Sequence, residues 1–419
     1  MDIFELLGVQ LHFTTNRGIF LHRFIKNGLA VFFALALLIA TGTAAEAASL
    51  NAAEVAADMG EGWNLGNGLD AYTNGQANET AWSNPVITKD LIKAVKAAGF
   101  KTIRIPVTYI GHIGNAPDYT IDPAWLGRVK EVVDYAYSQD LYVVINIHHD
   151  GGGDWKGGAW LNCEAADQTP VQAKYRRIWA QLAGAFKDYD QHLLFESMNE
   201  IHEDGNWGEP KSSQPMKNVN AYNQIFVDTV RQGSTANKER ILVVPGYNTN
   251  IGYTVNPAYG FQLPKDSADK KLMVSVHYYD PYDFTLNAGN ANVWAWGHDA
   301  IAAGVSSVNW HQEDAVDQAM KSLQDSFASK GIPFFVGEYG AIDKTYEAAD
   351  SRKYREHWYQ YVTKAIRKAG GVPVVWDNGC APKDTFTFID RRSNTPADQG
   401  LIGAVMSGYK QGSAEAVLP

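Results

Sequence analysis

Two glutamates, Glu200 and Glu338, each follow a short apolar run that ends in polar residues. A pair of carboxyl groups facing one another can divide acid and nucleophile work. One lends a proton to a departing oxygen and the other attacks the carbon that the oxygen leaves. On a sugar acetal, direct attack calls for a gap of about 5 Å. An arbitrary pair of glutamates is usually two solvated side chains, so the residues around the pair carry the reading. Asn199, next to Glu200, offers an amide for a sugar 2-hydroxyl. Arg104 and Tyr279 can hydrogen-bond a carboxylate and keep it ionised. His148, His149 and His277 add donors, and Trp376 offers a flat face for a sugar ring. In this arrangement Glu200 is expected to be held protonated by the charge of Glu338 until the covalent step discharges it, giving a bell-shaped pH profile.

These residues cluster at the ends of strand-like segments. Eight such segments are expected: 61–65, 102–107, 142–147, 193–197, 241–244, 272–276, 333–336 and 372–376. Runs such as YVVINI and ILVV suit strands buried on both faces. Amphipathic helical patterns alternate with them. Asp122–Pro123 reads as an N-cap with proline in the first turn, followed by a stripe of Leu126, Val129, Val132, Val133 and Ala136. Gly99 and Gly370 read as helix stops before the next strand. The long irregular segments, 151–170, 201–219 and 280–314, all follow strands, whereas the helix-to-strand connections are short. That asymmetry predicts a single (β/α)8 barrel, an α/β fold with its site at the C-terminal ends of the strands.

Composition narrows the substrate. The 419 residues are 45% hydrophobic and 20% charged, enough for a large core, and the formal charge of -10 leaves no basic face for phosphates. No nucleic-acid partner is expected. With 12 Trp and 21 Tyr, the chain has rings to spare for a ligand. Two cysteines, Cys163 and Cys380, are too few for a disulfide scaffold, and whether they pair is left open. Arg17, Arg23 and Lys26 precede an apolar run from Leu29 to Ala40, and Ala45 and Ala47 suit a signal peptidase. Residues 1–47 are therefore expected to be a cleaved signal peptide rather than a membrane anchor, 48–410 a catalytic domain and 411–419 a tail. The expected location is outside the cell or in the periplasm.

In order along the chain stand GWNLGNGLDA from Gly62, IRIPVTY from Ile103, INIHHD from Ile145, FESMNE from Phe195, VHYYDPYDF from Val276, GEYGA from Gly337 and VVWDNG from Val374. Together these motifs resemble glycoside hydrolase family 5, the cellulase-type barrel, over about residues 48–409. Their combination looks most like subfamily 4, which holds endoglucanases, xyloglucanases and mixed-linkage glucanases. The resemblance implies Glu200 as acid/base, Glu338 as nucleophile, and Arg104, His148, Asn199, His277, Tyr279 and Trp376 as their shell. It also implies retention of anomeric configuration, with Asn64, Asn67 and Asp70 serving the glycone side. Gly68, Ile201 and Tyr339 depart from the commoner Thr, Pro and Phe. The implied function is endo cleavage of β-1,4-glucan. A xyloglucanase, xylanase or mannanase is the alternative within the class, and a non-catalytic carbohydrate-binding protein the alternative outside it. The expected partner is a β-glucan chain, handled by a monomer with no cofactor and no membrane contact once the leader is removed.

Other readings compete for some residues. His148, His149, Asp150 and His202 could ligate zinc, although their spacing matches no compact motif and retaining hydrolysis needs no metal. The glycines at 151–153 lack the strand and helix of a phosphate cradle. Trp155, Trp160, Trp207, Trp294 and Trp296 fall in loops after strands and are expected to line an open groove. Of these, Trp296 is expected to touch substrate. Trp125, Trp179 and Trp358 fall on helical stripes and are expected in the core.

Overall fold

Strand segments such as YVVI and LLFE are apolar at every position because they must bury both faces, one toward a barrel axis and one toward covering helices. In the computed structural model, which describes residues 50–416 except 154–155, 291, 306 and 381–384, eight strands do this. They are β1 (Gly62–Asn64), β2 (Thr102–Ile105), β3 (Tyr142–Ile145), β4 (Leu193–Glu196), β5 (Leu242–Asn250), β6 (Leu272–Tyr278), β7 (Phe334–Tyr339) and β8 (Val372–Val375). Each is parallel to its neighbours in chain order, and β8 pairs with β1 to close the barrel. The segment expected to be a signal peptide, residues 1–47, lies outside the described residues. No helix among the described residues is long and apolar enough to cross a membrane.

The helices stop and start where their sequences say. Asp122 accepts the Ala124 N–H at 2.9 Å with Pro123 in the first turn. Gly99 and Gly370 take the left-handed backbone, at φ 106° and 87°, that ends a helix cheaply only for glycine. Several boundaries differ from expectation. The helix after β4 spans Gln214–Arg231, beginning inside the segment read as irregular. The last helix, Gln399–Glu415, runs past the domain end expected at residue 410. It does so because Gly408 and Gly412 let it lie tightly on helix Ser351–Lys368, where a Cβ on Gly408 would stand 2.3 Å from the Gln360 carbonyl. Glu415 also pairs with Lys364 at 2.7 Å and Lys368 at 3.1 Å. Cys163 and Cys380 are free thiols, so neither staples the fold.

The period-two alternation of strands sorts the core into two layers. Ile103, Val143, Leu193, Phe195, Val274 and Val336 face outward, in the cluster shared with Trp179, Trp358 and the helices. Tyr142, Val144, Leu194, Val243, Met273 and Phe335 face inward, where they pack with Ala52, Val55 and Met59 to plug the barrel. Continuing the inward set upward along the strands gives Arg104, Asn146, Glu196 and Ser275, all buried. Above them comes the mouth. On β7 the alternation would point Glu338 outward. One extra residue prevents this: Val276 pairs with Val336 but His277 with Glu338, a bulge at Gly337. The bulge turns Glu338 into the mouth and sends Tyr339 out to Thr363, whose hydroxyl lies 2.6 Å from its own.

Gly337 has no room to spare. A Cβ there would stand 3.0 Å from the Phe335 ring and 3.3 Å from Ser275 Oγ. Gly337→Ala is therefore expected to lower unfolding free energy by about 1–3 kcal/mol through overpacking. Denaturant midpoints measure this, and a midpoint equal to wild type would contradict the tight bulge.

Candidate active site

Arg104 rises from β2 into the centre of the barrel with no exposed surface. A buried guanidinium must be paired and hydrogen-bonded, and its planar fork fixes where the partners stand. Nε donates to Glu196 at 2.7 Å, one Nη to Asn64 at 3.0 Å and Glu338 at 2.8 Å, and the other Nη to Asn199 at 2.8 Å. Glu196 is held further by Asn146 at 3.0 Å and Ser275 at 2.6 Å. A second donor, the Tyr279 hydroxyl, reaches the other oxygen of Glu338 at 2.9 Å. The Glu338 carboxyl is thus fixed in plane and in rotation.

The same contacts orient the amides. Asn199 gives its oxygen to Arg104, which leaves its NH2 for the cleft. Asn146 takes the Val107 N–H on its oxygen at 3.2 Å, so its NH2 points at Glu196 and at His148 Nδ1, 3.1 Å away. His148 Nδ1 is therefore an acceptor and Nε2 carries the proton, 3.8 Å from Glu338. Burial pushes the His148 pKa well below the usual range, so the ring stays neutral.

Glu200 stands just beyond β4, across from Glu338. Glu200, His277 and Glu338 offer one atom each within 4.8 Å of one another. His277 lies between the carboxyls, its Nδ1 at 2.6 Å from Glu200 and 3.6 Å from Glu338. Burial pushes both carboxyls up, but they end on opposite sides of their ordinary range. The His277 contact brings Glu200 below it. Glu338 stays above it, because burial and the Glu200 charge outweigh the pull of His277 and Arg104. This corrects the expectation that the charge of Glu338 holds Glu200 protonated: the charge of Glu200 helps raise Glu338 instead, and the His277 contact holds Glu200 down.

The cleft above these groups encloses about 410 Å³ and is lined by His148, His149, Asn199, Trp376 and both carboxyls, among others. Trp376 lies parallel to His148 with ring centres 6.0 Å apart, a position open only because Gly66 has no side chain to strike it. His149 packs against Tyr72 and Trp82, with ring centres at 5.8 and 5.4 Å. Five expected contact residues do not face this space. Arg104 and Asn64 belong to the floor, and the Asn64 amide is used up on Arg104 and the carbonyls of Gly337 and Val375. Asp70 is buried and holds the turn after β1 by accepting the Asn67 and Gly68 N–H groups at 3.0 and 2.7 Å. Trp296 is 0% exposed and donates to the His311 carbonyl at 2.8 Å, which makes it core. Asn67 is half-buried at φ 56° on the rim of that turn, outside the lining of the cleft.

The loop tryptophans divide. Trp160 donates to Asp150 at 2.7 Å and Trp294 packs on Tyr354, whereas Trp207 lines the cleft; Trp155 lies outside the described residues. Trp125, Trp179 and Trp358 are buried on their helices. Asp150 and His202 do not join His148 and His149 in a ligand-spaced group among the described residues. The Asp150 oxygens are occupied by Tyr109 N–H and the Trp160 indole, and His202 Nδ1 donates to the Glu200 carbonyl. Sequence reasoning missed Glu196, Asn146 and Ser275, for which strand parity from Leu194, Val144 and Met273 was the available signal. It also missed Asn248 and Tyr282, which line the cleft.

The family model described as Cellulase (glycosyl hydrolase family 5) matches residues 66–381. Endoglucanase A of Paenibacillus barcinonensis is 46% identical over 400 residues, covering 93% of this chain and 98% of that protein. Among solved structures, a family 5 xyloglucanase from Paenibacillus pabuli is 48% identical with a TM-score of 0.81, covering 85% of this chain and 99% of its own. A broad-specificity endoglucanase from Bacteroides salanitronis, titled GH5-4, is 40% identical with a TM-score of 0.79, covering 85% and 94%.

Asp150 gives the site region a pH signature. Burial pushes its carboxyl up to about 6, against the hydrogen bonds from Tyr109 and Trp160. The unfolded value is about 3.9, so between the two the folded chain holds the extra proton and stability falls as pH rises. Asp150→Asn loses good acceptors but also loses this titration. Its deficit relative to wild type is expected to shrink by about 2–3 kcal/mol from about pH 4 to about pH 7. Urea midpoints across that range read it; a constant or growing deficit would count against a raised Asp150.

Proposed function

Because the chain belongs to glycosyl hydrolase family 5, the cellulase family, we propose that it is an endo-acting β-1,4-glucanase working with retention, with Glu338 as nucleophile and Glu200 as acid/base. The observation that carries this reading is the placing of one oxygen of each carboxyl within 4.8 Å, with Arg104 and Tyr279 fixing only Glu338. That spacing is too short to admit a water between the carboxyls and suits direct attack.

A glucose unit lying on Trp376 brings C1 over Glu338. The Asn199 NH2 and the His148 Nε2–H face its hydroxyls, and the Asn199 contact tightens as charge builds at the ring. Glu338 attacks C1 while Glu200 gives its proton to the glycosidic oxygen. His277 Nδ1, 2.6 Å from Glu200, orients its carboxyl for that transfer. When the Glu338 charge is spent in the covalent bond, Glu200 is left as a base and draws a proton from water, which attacks C1 and frees Glu338. Tyr279 stays a neutral donor throughout, since burial pushes its hydroxyl well above the usual range.

The substrate proposed is cellulose-type or mixed-linkage β-glucan. A second reading, xyloglucan, is favoured by the likeness to the Paenibacillus pabuli xyloglucanase. Turnover of carboxymethylcellulose, lichenan, xyloglucan, xylan and mannan separates these. Every step uses side chains of one chain, so the proposal includes a monomer acting without cofactor, nucleic acid or membrane. Export is proposed as well, supported by the basic, apolar and small-residue order of residues 17–47; a mature N-terminus at Ala48 by mass spectrometry would bear it out.

Glu338→Ala is expected to abolish turnover of every glucan, and Glu200→Ala to slow polymer cleavage about 10²–10⁴-fold while sparing aryl glycosides whose leaving group needs no proton. Polymer cleavage at near wild-type rates in either variant would overturn the assignment. Glu196→Gln removes one negative charge from beneath Arg104. Both limbs of the kcat/KM pH profile should then move to lower pH, by about one unit at most. Limbs that stay fixed or move up would show that the floor does not set the charge of the pair.

A further inference from the structure

Trp376 is the first residue past β8, and its backbone N–H donates to the Tyr339 carbonyl at 2.9 Å. That bond sets the height of the residue, but its indole reaches across the seam where the barrel closes, to the loop after β1. A Cβ on Gly66 would stand 2.5 Å from Cζ2 and 2.6 Å from Cη2 of the ring. Gly66 is therefore the wall the indole leans on, and the place of the ring depends on where the Gly66 backbone is held. Gly66 donates its N–H to the Asp377 carbonyl at 3.1 Å. Its own carbonyl takes Arg391 Nη1 at 2.5 Å, and Arg391 Nη2 donates to the Asp377 carbonyl at 2.7 Å. One guanidinium thus staples the residue that walls the indole to the residue next to Trp376.

Arg391 comes from the turn between two short antiparallel strands, Ile389–Asp390 and Thr395–Pro396, apart from the barrel and outside the lining of the cleft. It is 4% exposed, its Cζ 5.5 Å from the centre of the Trp63 ring on β1. The Asp377 carboxyl does not depend on it. Oδ2 takes the Trp63 indole at 2.8 Å and the Phe388 and Ile389 N–H groups at 2.8 and 3.1 Å, and Oδ1 takes the Gly379 N–H at 2.7 Å against 3.3 Å to Arg391. The short contacts of the guanidinium are the two backbone carbonyls. Asn84 joins the same two loops a second time, giving its amide to the carbonyls of Asn67 at 2.9 Å and Asn378 at 3.0 Å. Without Arg391 the loops therefore stay together, and it is the wall at Gly66 that loosens. We propose that Arg391 is a positioning residue: it touches no substrate, and it sets the place at which Trp376 presents C1 of the sugar to Glu338. The inference rests on the endo-β-glucanase reading.

The test is a double-mutant cycle on cellotetraose, combining Arg391→Met and Arg391→Lys in turn with Trp376→Ala. Misplacing a reacting group by about 1 Å costs on the order of 10²-fold in rate, so kcat/KM should fall about 10- to 100-fold in Arg391→Met. Arg391→Lys should lose less, since an ammonium there reaches one of the two carbonyls. In the Trp376→Ala background each Arg391 change should cost less than about twofold, because the ring it positions is gone. General damage to the fold would instead multiply with Trp376→Ala, as independent effects do. Effects that multiply, or an Arg391→Met rate equal to wild type, would overturn the proposal. Should Arg391→Met fail to fold by circular dichroism, the Arg391→Lys arm of the cycle decides by the same criteria. Failure of wild type to cleave carboxymethylcellulose or cellotetraose would instead remove the endo-glucanase reading on which the proposal stands.

Discussion

The fork of Arg104 is the interaction on which the site depends. One guanidinium, wholly removed from water, has to find acceptors for donors aimed in three directions, and it finds them on four chain segments: Asn64 on β1, Glu196 on β4, Asn199 just past β4 and Glu338 on β7. A buried ion pair of this kind adds little net stability over apolar packing, but breaking one member leaves a charge stranded, which is strongly destabilising. The cluster is therefore a geometric lock more than a source of stability. Because every partner is also hydrogen-bonded elsewhere, a shift of any one would cost several contacts at once.

Why the lock sits where it does follows from strand parity. Below it, the inward positions are filled by Val144, Leu194, Met273 and Phe335, which seal the barrel floor against water. The next inward positions along the same strands are Asn146, Glu196 and Ser275, and the next after those on β3 and β6 are His148 and His277. The chain along β3 and β6 thus reads apolar, polar, reactive from bottom to top. β7 cannot follow this rhythm, since a plain alternation would give its inward place at the mouth to Tyr339. The bulge at Gly337 trades one regular pair of hydrogen bonds for a carboxylate pointed at Arg104.

The two kinds of pattern were unequally legible in the sequence. Eight apolar runs separated by amphipathic stripes define a barrel because hydrophobic periodicity is a local property, and the caps at Asp122, Gly99 and Gly370 are local too. Glu200, Glu338 and their shell stand out because several polar types end those runs together. Direction is another matter. Asn64 and Asp70 lie beside mouth residues in the chain, yet one points at the floor and the other back into its own turn. Trp296 lies in a long loop, yet the loop folds its indole under His357 and Tyr361. Glu196 is four positions before Glu200 and does different work. Sequence spacing carries the type of a side chain; the pleat, the turn and the bulge decide where it points.

That difference bears on how the carboxyls divide their labour. By composition Glu200 and Glu338 are the same acid. What separates them is the number and kind of donors that surround each one. Glu338 receives a guanidinium and a phenol that never give up a proton in the working range, so its oxygens stay bound and available as a nucleophile. Glu200 receives a single imidazole, that of His277 at 2.6 Å, and no guanidinium. The carboxyl fixed through both oxygens suits the proposed covalent attack, and the one with the freer oxygens suits the proposed proton transfer. The proposed assignment of roles thus rests on Arg104 and His277 rather than on the glutamates themselves, and a chain that kept both carboxyls but exchanged those two neighbours would keep the gap and lose the distinction between them.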